Sequence, residues 1–585
     1  MNVEATPTSQ ETATTYRLNE LYTRFNGQAE NDLSIFNAAK PLIQSLSEPH
    51  KTTHIEALQS AMSDWFSASS IDKWIRTGKI SKKISVDYQS TLLYDAACQI
   101  TAMYRDSDGR VYIRFEVESD GHYELHPLES QAVKDYLRTL AYPLFEGSVV
   151  GRNVINAVVD QLHAREAKDV QLSHRIAEYE GAFYYDRADH EWCAIKITPT
   201  SWAEDYEPPV LFIASKLRAE QVEPDRRATI PDLKHLTDLL NIPDKDQELL
   251  TLVWLIASFI PNIQIPILYI YGEKRSGKTL LEKALLQIAD PTVEDPQHQD
   301  VKVLGQPTGW DMAVTQLANR HVAAYDNLYY ILSWFANLLS TRITGSIEEK
   351  RKQYTDSESY IMQLRGPIIL NGIHRHGLEY TDLQDRIIAI RLEQREGSAI
   401  VAESTFWKRF AEIWPTALGA IFSTLSRAMA IRSELQQSTP LSRFADFELW
   451  GYAIAEAMNE AGLEYSQSDF ERAYSENIHN VRYHVLEGHP VAQCLLYLKN
   501  SSVTDRWEGT PSKLLQTLNI IAASINVDTE LKTWPKNAVW LSRRLDEIKS
   551  ELREVGITYE VRPSRTGKGA DPKRIIGLSF QRRPL

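Results

Sequence analysis

Four short apolar runs organise the middle of the chain. Ile267 to Tyr271 is uniformly apolar and predicts a strand buried on both faces. His321 to Tyr325 is a second run and ends on Asp326-Asn327. Ile368 to Leu370 is a third and ends on Asn371, and Ile387 to Ile390 is a fourth, entered through Asp385-Arg386. Between the first two, Leu280, Leu281, Ala284, Leu285 and Ile288 recur with a helical period. Just ahead, Leu249 to Ile260 predicts a buried helix; Thr251 and Ser258 interrupt it, and it is too short to span a bilayer. Strands alternating with helices predict an α/β core.

Outside this core the pattern is mixed. Residues 1–15 predict a disordered leader, and residues 16–89 short helices. Residues 90–229 mix helices (92–103, 130–141, 149–164) with strands at 111–117 and around Phe183 to Tyr185 and Trp192 to Ile195. Asp186 and Asp189 lie close together there, a spacing open to a metal pair but better suited to an Asp-Arg-Ala-Asp hairpin turn. Residues 401–485 are helical, with aromatics at helical spacing. Near the C-terminus, Thr510-Pro511 caps one helix and Asn537 begins another, which Gly556 ends. In that second helix Leu541, Leu545, Ile548 and Leu552 face inward while Arg543 and Arg544 point elsewhere. Strands at 557–562 and 574–580 then enclose a basic tip containing Arg565 and Lys568. Two helices followed by a basic hairpin predict a winged helix over 486–585, with Arg543, Arg544, Arg562, Arg565 and Lys568 as DNA contacts. Docking of a protein is the competing use of that module.

The chemistry gathers at the ends of the apolar runs. Gly272, four residues, then Gly277-Lys278-Thr279 stands between a strand and a helix, which is the context a P-loop requires. Backbone amides from Gly272 to Gly277, with Ser276 in the loop, would cradle phosphates. Lys278 would neutralise them and Thr279 would ligate Mg²⁺, so ATP and Mg²⁺ are the expected cofactors. Asp326, at the tip of the next strand, is the expected second Mg²⁺ ligand. Asn327 follows where a glutamate base is usual, and an amide orients water but cannot take its proton. Either Glu348, Glu349 or Asp356 replaces that base, or polarisation by Asn327 suffices, or turnover is slow. Asn371 is placed to contact the γ-phosphate or the attacking water. Arg386 is read either as an arginine finger reaching a neighbouring subunit or as half of a surface ion pair with Asp382 or Asp385. Lys350-Arg351-Lys352 suits a loop or hairpin that touches phosphates, though taken alone it reads equally as a solvated basic turn. His374 and His376 have no third ligand in view.

Composition narrows the setting. The net charge of −14 is unusual for a nucleic-acid binder, yet residues 505–585 hold fifteen basic and ten acidic side chains, so the sign reverses at the C-terminus. Three cysteines without a CxxC pair argue against a disulfide framework and a zinc ribbon. With no secretory signal or membrane span in the pattern, a cytoplasmic protein is expected.

In their order these motifs resemble the superfamily 3-like AAA+ helicases of phages, plasmids and integrative elements. The resemblance is greatest to replication helicases with MCM-like features and a C-terminal winged helix. Gly272 to Thr279, Asp326-Asn327, Lys350 to Asp356, Asn371-Gly372-Ile373, Asp385-Arg386 and Arg443 to Phe447 carry it. So do Trp507-Glu508-Gly509-Thr510 and Trp534-Pro535-Lys536 with Leu541 to Leu545; in all it covers about residues 90–585. It implies an α/β P-loop AAA+ ATPase core at 230–400 between an α+β region at 90–229 and a helical lid at 401–485. It further implies a homo-oligomeric ring, usually a hexamer, that hydrolyses ATP between subunits. Such a ring moves along single-stranded or forked DNA through a channel lined by Arg351 and its neighbours. The other reading is an AAA+ switch, a helicase loader or an anti-phage defence ATPase, which binds DNA or a replication or defence partner without unwinding.

Overall fold

The computed structural model describes residues 14–19, 33–46, 48–61, 75, 86–107, 109–117, 122–145, 149–189, 191–215, 217–240, 242, 244–292, 303–328, 330–351, 359–372, 381–394, 402–435, 443–502, 504–530, 534–563 and 574–581. The chain forms two compact units: residues 1–105, 111–116 and 126–168, and the remainder. No helix among the described residues is long and apolar enough to cross a membrane.

The first unit holds helices α1 (Leu33–Gln44), α2 (Glu48–Ala61) and α3 (Val86–Ile100), strands β1 (Ala102–Arg105) and β2 (Val111–Val117), and helices α4 (Gln131–Leu144) and α5 (Arg152–His163). Thr14 and Thr15, which the pattern assigns to the leader, lie in a helical stretch, 14–19; residues 1–13 lie outside the described residues. Helix α3 stops at Ile100, and Ala102 to Arg105 pairs with Arg114 to Val111 instead. Side-chain pattern alone could not separate these two uses of the segment. Val154, Ile155, Val158 and Leu162 form the buried stripe of α5.

The second unit comprises residues 106–110, 117–125 and 169–585. Strands β3 (Ile176–Tyr179), β4 (Ala182–Asp186), β5 (Ala194–Ile197) and β6 (Trp202–Asp205) form an antiparallel meander, and the side chains of Phe183, Tyr185, Ile195 and Ile197 enter the main core. Helices α6 (Leu233–Leu240) and α7 (Lys245–Ala257) follow. Buried Trp254 on α7 donates to the Pro266 carbonyl at 2.8 Å, which seats the helix against the entry to the next strand.

That strand is β7 (Ile267–Gly272), followed by α8 (Lys278–Ala289), α9 (Trp310–Ala318), β8 (Ala323–Leu328) and α10 (Ser333–Thr344). Then come β9 (Ser346–Arg351), β10 (Ser359–Leu364), β11 (Ile368–Gly372), α11 (Thr381–Gln384) and β12 (Ile387–Leu392). Strands β8, β11, β7 and β12 lie in that order in one parallel sheet. All five residues from Ile267 to Tyr271 are buried, as a parallel strand covered on both faces demands. Strands β9 and β10 pair separately as an antiparallel hairpin, Ser346 opposite Leu364 at its base and Arg351 opposite Ser359 at the far end.

Helices α12 (Glu403–Glu434), α13 (Ala445–Glu460) and α14 (Gln467–Gly488) pack on this core. The C-terminal part has its own apolar cluster. It consists of α15 (Pro490–Ser501), β13 (Arg506–Gly509), α16 (Pro511–Ser524), α17 (Ala538–Glu547), α18 (Lys549–Glu554), β14 (Ile557–Pro563) and β15 (Arg574–Phe580). The second predicted helix is thus broken at Ile548, although Leu541, Leu545, Ile548 and Leu552 are all buried. Strand β15 sits between β13 and β14, both antiparallel to it.

Candidate nucleotide site

The P-loop turn depends on two glycines. Gly272 has φ +153°, and a Cβ there would stand 2.1 Å from the Leu392 carbonyl oxygen. Gly277 is left-handed at φ 88° and caps α8, so the helix N-terminus opens directly onto the loop. Ser276 is buried. Lys278 Nζ reaches back across the loop to the carbonyls of Gly272 (2.9 Å) and Glu273 (2.7 Å). Burial pulls the Lys278 pKa below its ordinary value, an effect that nearby Asp326 opposes.

Parallel pairing brings three strand tips to this loop. Strand β11 lies between β7 and β8, with Ile270 in register with Asn371. Asp326 presents both carboxylate oxygens to the Thr279 hydroxyl at 3.4 Å. Buried Asn371 donates from Nδ2 to Asp326 Oδ1 at 2.7 Å and lies 3.4 Å from Thr279 Oγ1. A hydroxyl and a carboxylate facing each other beside a cationic loop are the oxygen donors that suit Mg²⁺. Pairing of β8 with β11 is irregular between Tyr325 and Leu328, and Asn327 within that irregularity is exposed with φ 57°. Asparagine tolerates this left-handed backbone better than glutamate does, which gives the amide at this position a conformational reason.

The sequence reading missed Glu282. It lies three residues beyond Thr279 on α8, is fully buried, and its Oε2 accepts from Asn371 Nδ2 at 3.0 Å. Burial pushes its pKa up to about 8, despite the Asn371 hydrogen bond. The available signal was an acid amid the apolar positions of α8, between Leu281 and Ala284.

Other expected residues lie elsewhere. Arg386 precedes β12 at the sheet edge opposite Gly272, since Ile267 pairs with Ile387. Six residues of strand separate the two ends, about 20 Å. Its side chain is buried, with Nη1 donating to the Ser340 carbonyl at 3.2 Å. The guanidinium is thus packed inside its own unit and does not extend from the surface as a finger in this chain. Asp186 accepts from Ala188 N (2.8 Å) and Asp189 from Cys193 N (2.9 Å), the geometry of a turn. They pair with Arg218 (2.6 Å) and Arg187 (3.1 Å). Among the described residues no group of three or more His, Cys, Asp or Glu side chains is placed to hold a metal ion.

The basic positions are spread out. Lys350 and Arg351 occupy the far end of the β9–β10 hairpin. On α17 Arg543 is exposed, whereas Arg544 is half-buried and paired with Glu547 at 2.6 Å. Exposed Arg562 on β14 pairs with Glu560. Lys352, Asp356, His374, His376, Arg565 and Lys568 lie outside the described residues.

Comparison with known proteins places two domains. Residues 233–465 match the actinomycete integrative conjugative element replication protein family, and residues 491–584 match the C-terminal domain of that RepA group. No curated protein matches. Two solved structures, both of the NrS-1 C-terminal region in an A-form apo state, are similar at 12% and 14% identity. Each alignment covers 84% of this chain, with 99% and 100% of the solved chains and TM-scores of 0.36 and 0.35. At such TM-scores the likeness carries no argument about this chain.

Proposed function

We propose that this chain, which carries both domains of an integrative conjugative element replication protein, is the ATP-driven DNA motor of that element. In this reading residues 230–400 are an AAA+ core and residues 486–585 a winged helix. The observation that carries it is the meeting of Thr279, Asp326 and Asn371 at the Lys278 loop. Loop amides and Lys278 would hold the phosphates of ATP. Thr279 and Asp326 would hold Mg²⁺, which supplies charge neutralisation at the transferred phosphoryl group. Asn371 would orient the γ-phosphate or the attacking water. The hairpin bearing Lys350 and Arg351 would touch DNA phosphates, in a homo-oligomeric ring.

Asn327 supports a second reading. Exposed on an irregular strand end, it offers no proton acceptor, so slow turnover would suit a switch or loader that grips DNA without unwinding it. ATP turnover measured with and without single-stranded and forked DNA, alongside strand displacement on the fork, separates the two. DNA-stimulated turnover with displacement supports the motor, and stimulated turnover without displacement supports the switch. If DNA has no effect on turnover, both readings fail.

A further inference from the structure

Asn371 is held from two sides. Its Nδ2 has two hydrogens, and two carboxylates accept from it, Asp326 Oδ1 at 2.7 Å and Glu282 Oε2 at 3.0 Å. This orientation is the one that gives both carboxylates a donor, and it turns the Asn371 carbonyl oxygen away from them. Asp326 belongs to a strand and would be engaged with the metal. Glu282 belongs to the helix that begins at Lys278, so it ties the amide to the P-loop helix directly.

An acid is a costly occupant of that position. The Glu282 side chain is fully buried, and its second oxygen, Oε1, has no hydrogen-bond partner. Neighbouring Leu281, Ala284, Leu285 and Leu286 are buried as well, so an apolar residue would fill the place at less cost. Among the described residues, the hydrogen bond this carboxyl group makes is the one it accepts from Asn371.

We infer that Glu282 is a positioning residue for the nucleotide site, which fixes the orientation of the Asn371 amide from the P-loop helix. The inference rests on the ATPase reading above. With Glu282 gone, the amide keeps only Asp326 as a strong acceptor and can rotate or flip. Nucleotide still binds through the loop and Lys278, but the residue that senses the γ-phosphate is no longer set.

The test uses the full chain with Glu282→Leu, which keeps the volume, and Glu282→Gln, which keeps an acceptor oxygen. Steady-state kcat and KM, affinities for fluorescent ATP and ADP analogues, and melting curves are measured for each. Glu282→Leu is expected to melt no lower than wild type, bind ADP unchanged, and lose about tenfold in kcat and in its preference for ATP over ADP. Glu282→Gln is expected to recover most of that loss. Combined with Asn371→Ala, Glu282→Leu should add nothing further, since it acts through that amide. A wild-type kcat and ATP preference in Glu282→Leu overturns the inference alone, as does full additivity in the double variant. A wild-type protein that neither binds nor turns over nucleotide overturns the ATPase reading and the inference with it.

Discussion

Replacing Arg175 by methionine should loosen the β3–β6 meander from the end of α8 and the start of β8. Arg175, at the entry to β3, is fully buried and pairs with Asp290, 115 residues away, at 3.1 Å. It also donates to the carbonyls of Asp186 (3.0 Å), Ala219 (2.9 Å) and Pro291 (3.0 Å). Asp290 follows the last turn of α8 and accepts from the backbone amides of His321 and Val322, both at 3.0 Å, at the start of β8. Burial alone would raise the Asp290 pKa, but Arg175, His321 and the Val322 amide outweigh it and hold the group below its ordinary value. Methionine keeps much of the volume yet leaves the buried Asp290 carboxylate without its counter-charge and takes one donor from each of three carbonyls. Breaking one side of such a pair costs about 3–5 kcal/mol. In a unit this large that lowers the melting temperature by about 3–5 °C. Scanning calorimetry measures the shift, and hydrogen exchange over residues 169–229 locates it. Adding Asp290→Asn should return part of the loss, because the stranded charge is removed. A melting temperature within about 1 °C of wild type, with unchanged exchange over 169–229, would refute the reasoning, since no buried pair this size can be silent.

Gly272→Ala should reduce nucleotide affinity at least about tenfold with little effect on the C-terminal domain, because its Cβ meets a backbone oxygen that cannot yield; titration with a fluorescent nucleotide reads it. His489 caps α15 by accepting from Ala492 N through Nδ1, and burial with the nearby Arg544 charge, against Glu547, lowers its pKa to about 4. The folded state therefore prefers neutral His489 while the unfolded chain protonates near 6.5, so this stability is complete above pH 6.5 and drains away as pH falls toward 4. Allowing for partial exposure, about 1–2 kcal/mol is at stake. His489→Asn, which caps without titrating, should flatten the melting temperature between pH 7 and 5, and an unchanged slope counts against the cap. Arg351→Ala should leave nucleotide binding intact and abolish DNA stimulation of turnover; wild-type stimulation would remove the hairpin from the DNA path.

The local devices were legible in the sequence because each is written in neighbouring residues. A uniformly apolar run, glycines at fixed spacing and a helical period mark β7, its loop and α8, and the same logic finds the polar tips at Asp326 and Asn371. Thr510 and Asn537 announce their helices by capping chemistry. What the tertiary structure decided depends on which distant segments meet. Strand order places β11 between β7 and β8, and so puts Asn371 against Asp326 and Glu282. The apolar neighbours of Glu282 on α8 hint at a buried acid, but its partner Asn371 lies 89 residues away and is set by strand order. Arg386 has surface-like neighbours in sequence, yet the packing of β12 against the sheet draws its guanidinium to the Ser340 carbonyl. Arg175 and Asp290 find each other across 115 residues of chain, a pairing that no local pattern announces. Periodicity reports which face of an element is buried, whereas partners are assigned only when separate elements close on one core.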